Sequence, residues 1–583
     1  MNSMKQKVKR LSSIIGLIFF PAVYFYLLEA YTHNGFTEVR IWPQVFSIIL
    51  YIWVAVILFF LFRSVKLALW IEGAFAMLLG LVNYYVYTFR SLPLAPWDIF
   101  SVKTALNVAD SYNFMPSFQV VCVVAGFLAV FCLAGFLELD LKKWKWHESL
   151  VLAVVFCLGF GAFVSILQKE DFQNRHLMYN KLFTPVYMWQ VNGFALTMVM
   201  QMPYLAVEKP KGYQKEEAKE LLDAYEPEKE TEPAQKPNII VIMDEAFSDL
   251  GVLGEFSPSE DYMPYFRSMF QDAKNTVTGY LSASVCGGNT ANTEFEFLTG
   301  HTMAFLPQGS VPYQQYIKHE IPALPSYLRD LGYETYAMHP YLSNGWDRES
   351  VYPLLGFSHM EFLESYKNCS YVRKFVSDES CVDKLIETFE QKEPNQPMFA
   401  FQVTMQNHGS YGDAYENFTP HITVEGASSY SLSTYLSLIQ KTDQALERLI
   451  SYFSKQEEPV LVVFFGDHQP NDVVAEPIWQ LQGKSYRSLT EEENKLRYQV
   501  PYLIWANYEI GTENDADMSV NYLGGKVLET AGLPLSAYQN YLKGLSKSYP
   551  VLSAAERPNE EAAQPDIEEY KKLQYYQLFE KQD

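Results

Sequence analysis

Five apolar stretches, near residues 11–31, 44–62, 67–89, 119–137 and 149–167, crowd the first part of this chain. Each approaches the ~20 helical residues needed to cross a bilayer, and no other feature restricts the fold as strongly. A cleaved signal peptide would account for the first stretch alone, because Lys5, Lys7, Lys9 and Arg10 precede it. Four further stretches, with no small-residue cleavage site, indicate a five-span transmembrane domain instead. With the N-terminus inside, the inner segments carry those four charges plus Arg63, Lys66, Lys142, Lys143 and Lys145, whereas the first two outer loops carry only Arg40, Arg90 and Lys103. This bias follows the positive-inside rule and sends everything after residue 168 outside, giving a multi-pass protein of the cell membrane with an extracellular C-terminal domain.

Residues 169–236 divide in two. The first half is apolar and aromatic but broken by polar residues and prolines, which suits helices lying along the outer membrane surface. The alternative, a sixth span, would return the C-terminal part to the cytoplasm. The second half, "EKPKGYQKEEAKELLDAYEPEKETEPAQKP", has the composition of a solvated linker with one short helix.

From 237 to 549, short runs rich in Val, Ile, Phe and Tyr alternate with helix-like segments. The runs are 238–243, 333–338, 398–405, 460–465 and 501–506. This alternation predicts a mainly parallel sheet sandwiched by helices, with any site at the carboxyl ends of the strands. The acidic tail, 550–583, is expected to hold a peripheral helix.

The net charge of −22 excludes nucleic acid as a partner. Glu72 and Asn83 within the spans raise a transport path, but Glu72 lies near the inner end of its span, within reach of headgroups. Cys122, Cys132 and Cys157 fall in spans as small fillers, whereas Cys286, Cys369 and Cys381 face the exterior. Cys369 and Cys381 are close enough in sequence to bridge a short loop, leaving Cys286 free.

Three apolar runs end in residues that bind metal or handle protons: Asp244 and Glu245; Gln406, Asn407 and His408; Asp467 and His468. One such residue alone is commonly a helix cap or a loop solubiliser. Three in one sheet, with the turn "GGNT" at 287–290, point to a site. Carboxylates with an imidazole suit a divalent ion such as Mn²⁺ or Zn²⁺, and a threonine oxygen beside it would become a nucleophile. Adjacent residues of an extended segment face opposite ways, so only one of Asp244 and Glu245 reaches a metal. The bland reading of "GGNTANTEF" is a loop in which Thr290 or Thr293 caps a helix. The two readings are compatible, since a helix N-terminus also favours a bound phosphate.

In order along the chain, "MDEAF", "GGNTANTEFEFLTG", "HPYLSNGWDRESVY", "QNH" and "FFGDH" behind five spans resemble the lipoteichoic acid synthase and phosphoglycerol transferase family, of the alkaline phosphatase and sulfatase superfamily. The resemblance implies metal ligands Glu245, Thr290, Asp467 and His468, with Thr290 also the nucleophile. It implies substrate contacts at His339, Trp346, Arg348 and His408, and manganese as the ion, with Zn²⁺ or Mg²⁺ as substitutes. The implied reaction moves glycerol phosphate from phosphatidylglycerol to a hydroxyl of a surface glycan or a growing glycerol phosphate polymer, with His408 or His339 as proton carrier. Decoration of a glycan is favoured over polymerisation, because the residues before Thr290 differ from those of the polymerising enzymes.

A sulfatase would carry Cys or Ser followed by x-P-x-R; the nearest match, "CSYVR" at 369–373, lacks the proline. A phosphoethanolamine transferase would share the spans, metal and threonine. A non-catalytic wall-organising protein would need no metal site.

Overall fold

The computed structural model describes residues 2–90, 93–102, 114–139, 141, 144–180, 185–205, 207–225, 235–271, 273–307, 310–485, 488–514, 516–557 and 564–580. The chain forms two compact units, one of residues 1–99 and 113–206, the other of 207–583 with 100–112.

In the first unit, helices α1 (Asn2–Glu29), α2 (Ile41–Phe62), α3 (Val65–Arg90), α4 (Phe118–Ala134) and α5 (Trp146–Leu167) coincide with the five apolar stretches. α1, α2, α3 and α5 are long and apolar enough to cross a membrane. α4, at 17 residues, is shorter; at about 1.5 Å per residue it spans roughly 26 Å. Their outward faces carry large apolar side chains such as Ile14, Ile18, Phe75, Leu78, Val151 and Leu158. Glu72 does not reach outward as expected. It is 3 % exposed, and neither carboxylate oxygen has a hydrogen-bond partner among the described residues. Residues 170–205 form short helices, Glu170–Arg175, Pro185–Asn192 and Phe194–Gln201, none long enough to span. Lys103, Lys142 and Lys143, used in the charge argument, lie outside the described residues.

The second unit is built on an eight-stranded sheet. Its strands are β1 (Asn238–Asp244), β2 (Thr276–Ser282), β3 (Glu334–Met338), β4 (His359–Glu361), β7 (Met398–Val403), β8 (Val460–Gly466), β9 (Gln499–Ala506) and β10 (Met518–Ser519); β5 (Tyr371–Val372) and β6 (Phe375–Val376) make a separate hairpin. The order is β10-β2-β9-β8-β1-β7-β3-β4. Only β9 runs against the others, so the carboxyl ends of β2, β8, β1, β7 and β3 share one edge.

Side chains alternate along the central strands. Ile239, Val241 and Met243 face one core, where they meet α6 (Thr290–Thr299), α7 (Arg348–Leu355) and α10 (Val520–Ala531) through Phe297, Tyr352 and Leu523. Ile240 and Ile242 face the other, under α8 (Asp378–Gln391) and the amphipathic α9 (Tyr430–Phe453). A strand buried on both faces has no polar positions to spare, which is why the runs at 238–243 and 460–465 are continuously apolar. β2, "TVTGYLS", escaped the sequence analysis because Thr and Gly interrupt its apolar pattern.

Two expectations are corrected. The tail helix α11 (Pro565–Phe579) is not peripheral. Tyr570 and Leu573 are fully buried, Tyr570 Oη donates to Gly300 O at 2.7 Å and Gln574 Nε2 to Thr302 O at 2.9 Å. The linker helix Lys215–Asp223 packs on α11, so the unit begins at 207 rather than 237. The physical reason is the same in both: Leu221, Leu222, Ile567, Tyr570 and Leu573 bury apolar surface that the flanking acidic residues masked in composition. Cys369 and Cys381 are free thiols packed in one small cluster with Tyr366.

Candidate active site

The shared strand edge gathers the chemistry. β1 runs into Glu245, β8 into Asp467 and His468, β7 into Thr404–His408, and β3 into His339. The turn before α6 has positive φ at three successive residues, Gly287 (72°), Gly288 (152°) and Asn289 (69°). Two glycines and an asparagine are the residues that take this conformation at least cost. Gly287 N donates to Gln469 O at 2.9 Å, which ties the turn to the end of β8. Thr290 is therefore the first residue of the helix rather than its cap. Its Oγ1 lies 3.4 Å from Glu245 Oε2.

Glu245, Asp467 and His468 each present one atom within 4.8 Å of the others, and all three are buried. His468 Nε2 lies 3.9 Å from Glu245 Oε1 and 3.3 Å from Asp467 Oδ2. Asp467 Oδ1 accepts from Ala246 N and His468 N, both at 2.7 Å. His468 Nδ1 donates to Gln469 O at 2.9 Å, which leaves Nε2 as a bare acceptor. Among the described residues, neither Asp467 Oδ2 nor His468 Nε2 has a hydrogen-bond partner. Orphaned atoms of this kind are costly unless something positive lies between them, and two carboxylates with an imidazole fit a divalent cation. Burial, and then the charge of Asp467, push the Glu245 carboxyl well above the usual range, a penalty that a cation removes.

Asp244 points elsewhere. Its oxygens accept from Asn407 Nδ2 and Thr404 Oγ1, each at 2.9 Å, and Thr404 Oγ1 in turn accepts from Glu245 N at 3.0 Å. The second carboxylate of the pair thus braces the β7 loop beneath the cluster. Gly466 is needed where β8 ends: a Cβ there would overlap Phe247 O.

His339 and Arg348 meet, with Arg348 Nη1 donating to His339 Nε2 at 3.2 Å while His339 Nδ1 donates to Val403 O at 3.2 Å. Both ring nitrogens are thereby committed. Burial and the Arg348 charge hold His339 well below the ordinary histidine range, so it is neutral and steadies Arg348 rather than carrying protons. Arg348 Nε donates to Glu294 Oε1 at 3.0 Å, and Tyr352 Oη to Glu294 Oε2 at 2.8 Å. Glu294 follows Thr290 by four residues on α6, so it shares that face of the helix and holds Arg348 one turn from Thr290. Trp346 precedes Arg348 by two residues, half-buried and at φ 57°. His408 Nδ1 donates to Gly409 O at 2.8 Å, its ring lies 5.3 Å from that of Phe375, and burial lowers its pKa to about 4.

A family model described as Sulfatase matches residues 237–533. The chain belongs to the sulfatase family. Among its relatives is a putative cyclic beta-1,2-glucan modification protein of Rhizobium meliloti (strain 1021), 29% identical over 511 residues that cover 84% of this sulfatase-family chain and 77% of the relative. The capsular polysaccharide biosynthesis protein RkpI of the same organism is 28% identical over 239 residues, 40% of this chain and 42% of that one. The Streptococcus pyogenes phosphoglycerol transferase GacH, solved in complex with sn-glycerol-1-phosphate, shares the fold: TM-score 0.52 and 21% identity, covering 65% of this chain and 100% of GacH.

Glu294 and the brace of Asp244, Thr404 and Asn407 escaped the sequence analysis of this sulfatase-family protein. A carboxylate four residues after Thr290 was the available signal for Glu294; its partner lies 54 residues away, and no local pattern announces that.

Proposed function

We propose that this protein is a membrane-anchored phosphotransferase that moves glycerol phosphate from phosphatidylglycerol to a hydroxyl of a cell-surface glycan or teichoic acid polymer, with Thr290 as covalent nucleophile and the catalytic part outside the cell membrane. The observation that carries this reading is the Thr290 hydroxyl at the N-terminus of α6, 3.4 Å from Glu245 and beside the orphaned Asp467 and His468 atoms. Glu245, Asp467, His468 and Thr290 would hold Mn²⁺, with Zn²⁺ or Mg²⁺ as substitutes; when bound, the ion supplies positive charge to the phosphoryl oxygens and favours loss of the threonine proton.

The first step forms the Thr290 Oγ1–P bond and breaks the bond from phosphorus to the diacylglycerol oxygen. One proton passes from Thr290 to that oxygen, with His408 as its carrier. Its pKa near 4 makes His408 a base in the free enzyme, and the charge of a bound phosphodiester raises it toward the working range. Arg348 and the N-terminus of α6 stabilise the equatorial oxygens, and Trp346 packs against the glycerol. The second step repeats the first in reverse with the acceptor hydroxyl. Similarity over most of the chain to a Rhizobium protein described as a putative cyclic beta-1,2-glucan modification protein supports a glycan acceptor.

Incubating the full-length protein in detergent with phosphatidylglycerol and Mn²⁺, then mapping peptides by mass spectrometry, tests this. A glycerophosphate adduct is expected on the peptide holding Thr290, and none in Thr290→Ala. An adduct formed only from phosphatidylethanolamine would replace the donor, and unmodified peptide despite diacylglycerol release would replace covalent transfer with direct transfer or hydrolysis.

A further inference from the structure

Arg373 ends the segment "CSYVR", which the sulfatase motif failed to explain. It sits at the tip of the β5–β6 hairpin at φ 57° and is 4 % exposed. Among the described residues its guanidinium meets no carboxylate. Nη1 donates to Ser410 O at 2.7 Å, and Nη2 to Gln406 O at 2.8 Å and His408 O at 2.7 Å. Nε has no hydrogen-bond partner among the described residues. Asp413 accepts from Ser410 Oγ and favours the Arg373 charge at longer range. The rings of Phe375 and Tyr411 flank the guanidinium at 5.6 Å and 5.7 Å, and Asn417 Nδ2 fixes the hairpin by donating to Arg373 O at 2.9 Å.

The two buried arginines of this region therefore differ in kind. Arg348 makes a direct ion pair with Glu294, whereas among the described residues the hydrogen bonds of Arg373 all go to neutral carbonyls, and Asp413 and Glu245 favour its charge only at longer range. A buried charge without a direct ion-pair partner is expensive, and a fold keeps one where a ligand or a neighbouring field supplies the opposite charge. The Arg373 charge is felt at Glu245, and its carbonyl partners belong to the loop that carries His408.

We infer that Arg373 is a positioning residue of this site: it clamps the 406–410 loop that carries His408, and its charge, which no contacting carboxylate pairs, favours a phosphate-bearing ligand there. The inference rests on the phosphotransferase reading and extends it to a residue outside the resemblance. Two roles predict two signatures. Arg373→Met removes both clamp and charge, whereas Arg373→Lys keeps the charge and cannot reach three carbonyls in a fork.

The test uses full-length protein in detergent, with Mn²⁺ binding by calorimetry and transfer from phosphatidylglycerol vesicles. Arg373→Met is expected to lower kcat/KM about 30-fold or more while Mn²⁺ binds as tightly as in the wild type or more so, since a nearby cation has been removed. Arg373→Lys is expected to recover KM but not kcat. Parallel loss of Mn²⁺ binding and activity in both variants would mean a merely structural role, and kcat/KM within about twofold of the wild type in Arg373→Met would remove the residue from the site; either overturns the inference. If the wild type transfers nothing from phosphatidylglycerol, the functional reading fails separately, and inorganic phosphate is the probe. Arg373→Met should then weaken phosphate binding to the Mn²⁺-loaded protein about tenfold, and equal affinity overturns the inference.

Discussion

Asp244 and Asp467 end neighbouring strands one residue out of step, since Asp244 pairs with Gly466. Both are essentially unexposed. Among the described residues, Asp244 has a hydrogen-bond donor on each oxygen, and Asp467 has two donors on one oxygen and none on the other. Identical side chains at equal burial are thus satisfied differently. The satisfied carboxylate holds architecture, and the unsatisfied oxygen is the one that a bound cation would engage. The distinction is made by what the adjacent loops present, Asn407 and Thr404 on one side and His468 on the other.

Replacing Asp467 is the severest way to probe this contrast. Asp467→Asn should lower transfer by about 10³ or more and abolish the stabilisation that Mn²⁺ confers, which at 100 times Kd amounts to roughly 2.7 kcal/mol and is readable as a Tm shift. Retention of the full Mn²⁺ shift would detach Asp467 from the metal and collapse the comparison.

Asp244→Asn should do the reverse. The amide cannot accept at both positions, so one buried donor is left short and stability falls by about 1–3 kcal/mol, while the Mn²⁺-induced shift in Tm persists. If instead the shift disappears and basal Tm does not move, Asp244 is a ligand and the two aspartates have been assigned the wrong way round.

A smaller effect sharpens the contrast from outside the site. His301 is buried with Nδ1 against Tyr538 Oη at 2.8 Å, and burial lowers its pKa from 6.5 to about 3. Below pH 6.5 the unfolded chain takes up a proton that the folded one refuses. The stability it contributes is therefore complete above pH 6.5 and is lost progressively as pH falls toward 3. Melting curves of the wild type should accordingly steepen in their acid dependence between pH 6.5 and 4 relative to His301→Gln; parallel curves would show that an unpartnered buried nitrogen is not by itself a liability.

Much of this was legible without coordinates. Continuous apolar runs at 238–243 and 460–465 betray strands buried on both faces, and the alternation with helices gives a parallel sheet whose carboxyl ends converge. Alternation of side chains in an extended segment implied that only one of Asp244 and Glu245 faces the cluster, and the family resemblance chose Glu245. β2 was not legible, because Thr276, Thr278 and Gly279 dilute its apolar signal, and β4 is too short to have one. The tail was misjudged because its acidic composition hides the apolar face of α11.

What the chain by itself determined is a set of local facts: five apolar helices, apolar strands that end in acids and imidazoles, and a Gly-Gly-Asn turn that presents a threonine. These follow from periodicity and conformational preference, which act over a few residues. Only the tertiary structure decided which carboxylate is satisfied and which is orphaned, that Glu294 neutralises Arg348, and that Arg373 reaches the loop of His408 across 35 residues of sequence. Those outcomes depend on the relative placement of loops from separate strands, and hydrogen-bond satisfaction in a buried space is set by that placement rather than by any residue's neighbours in the chain.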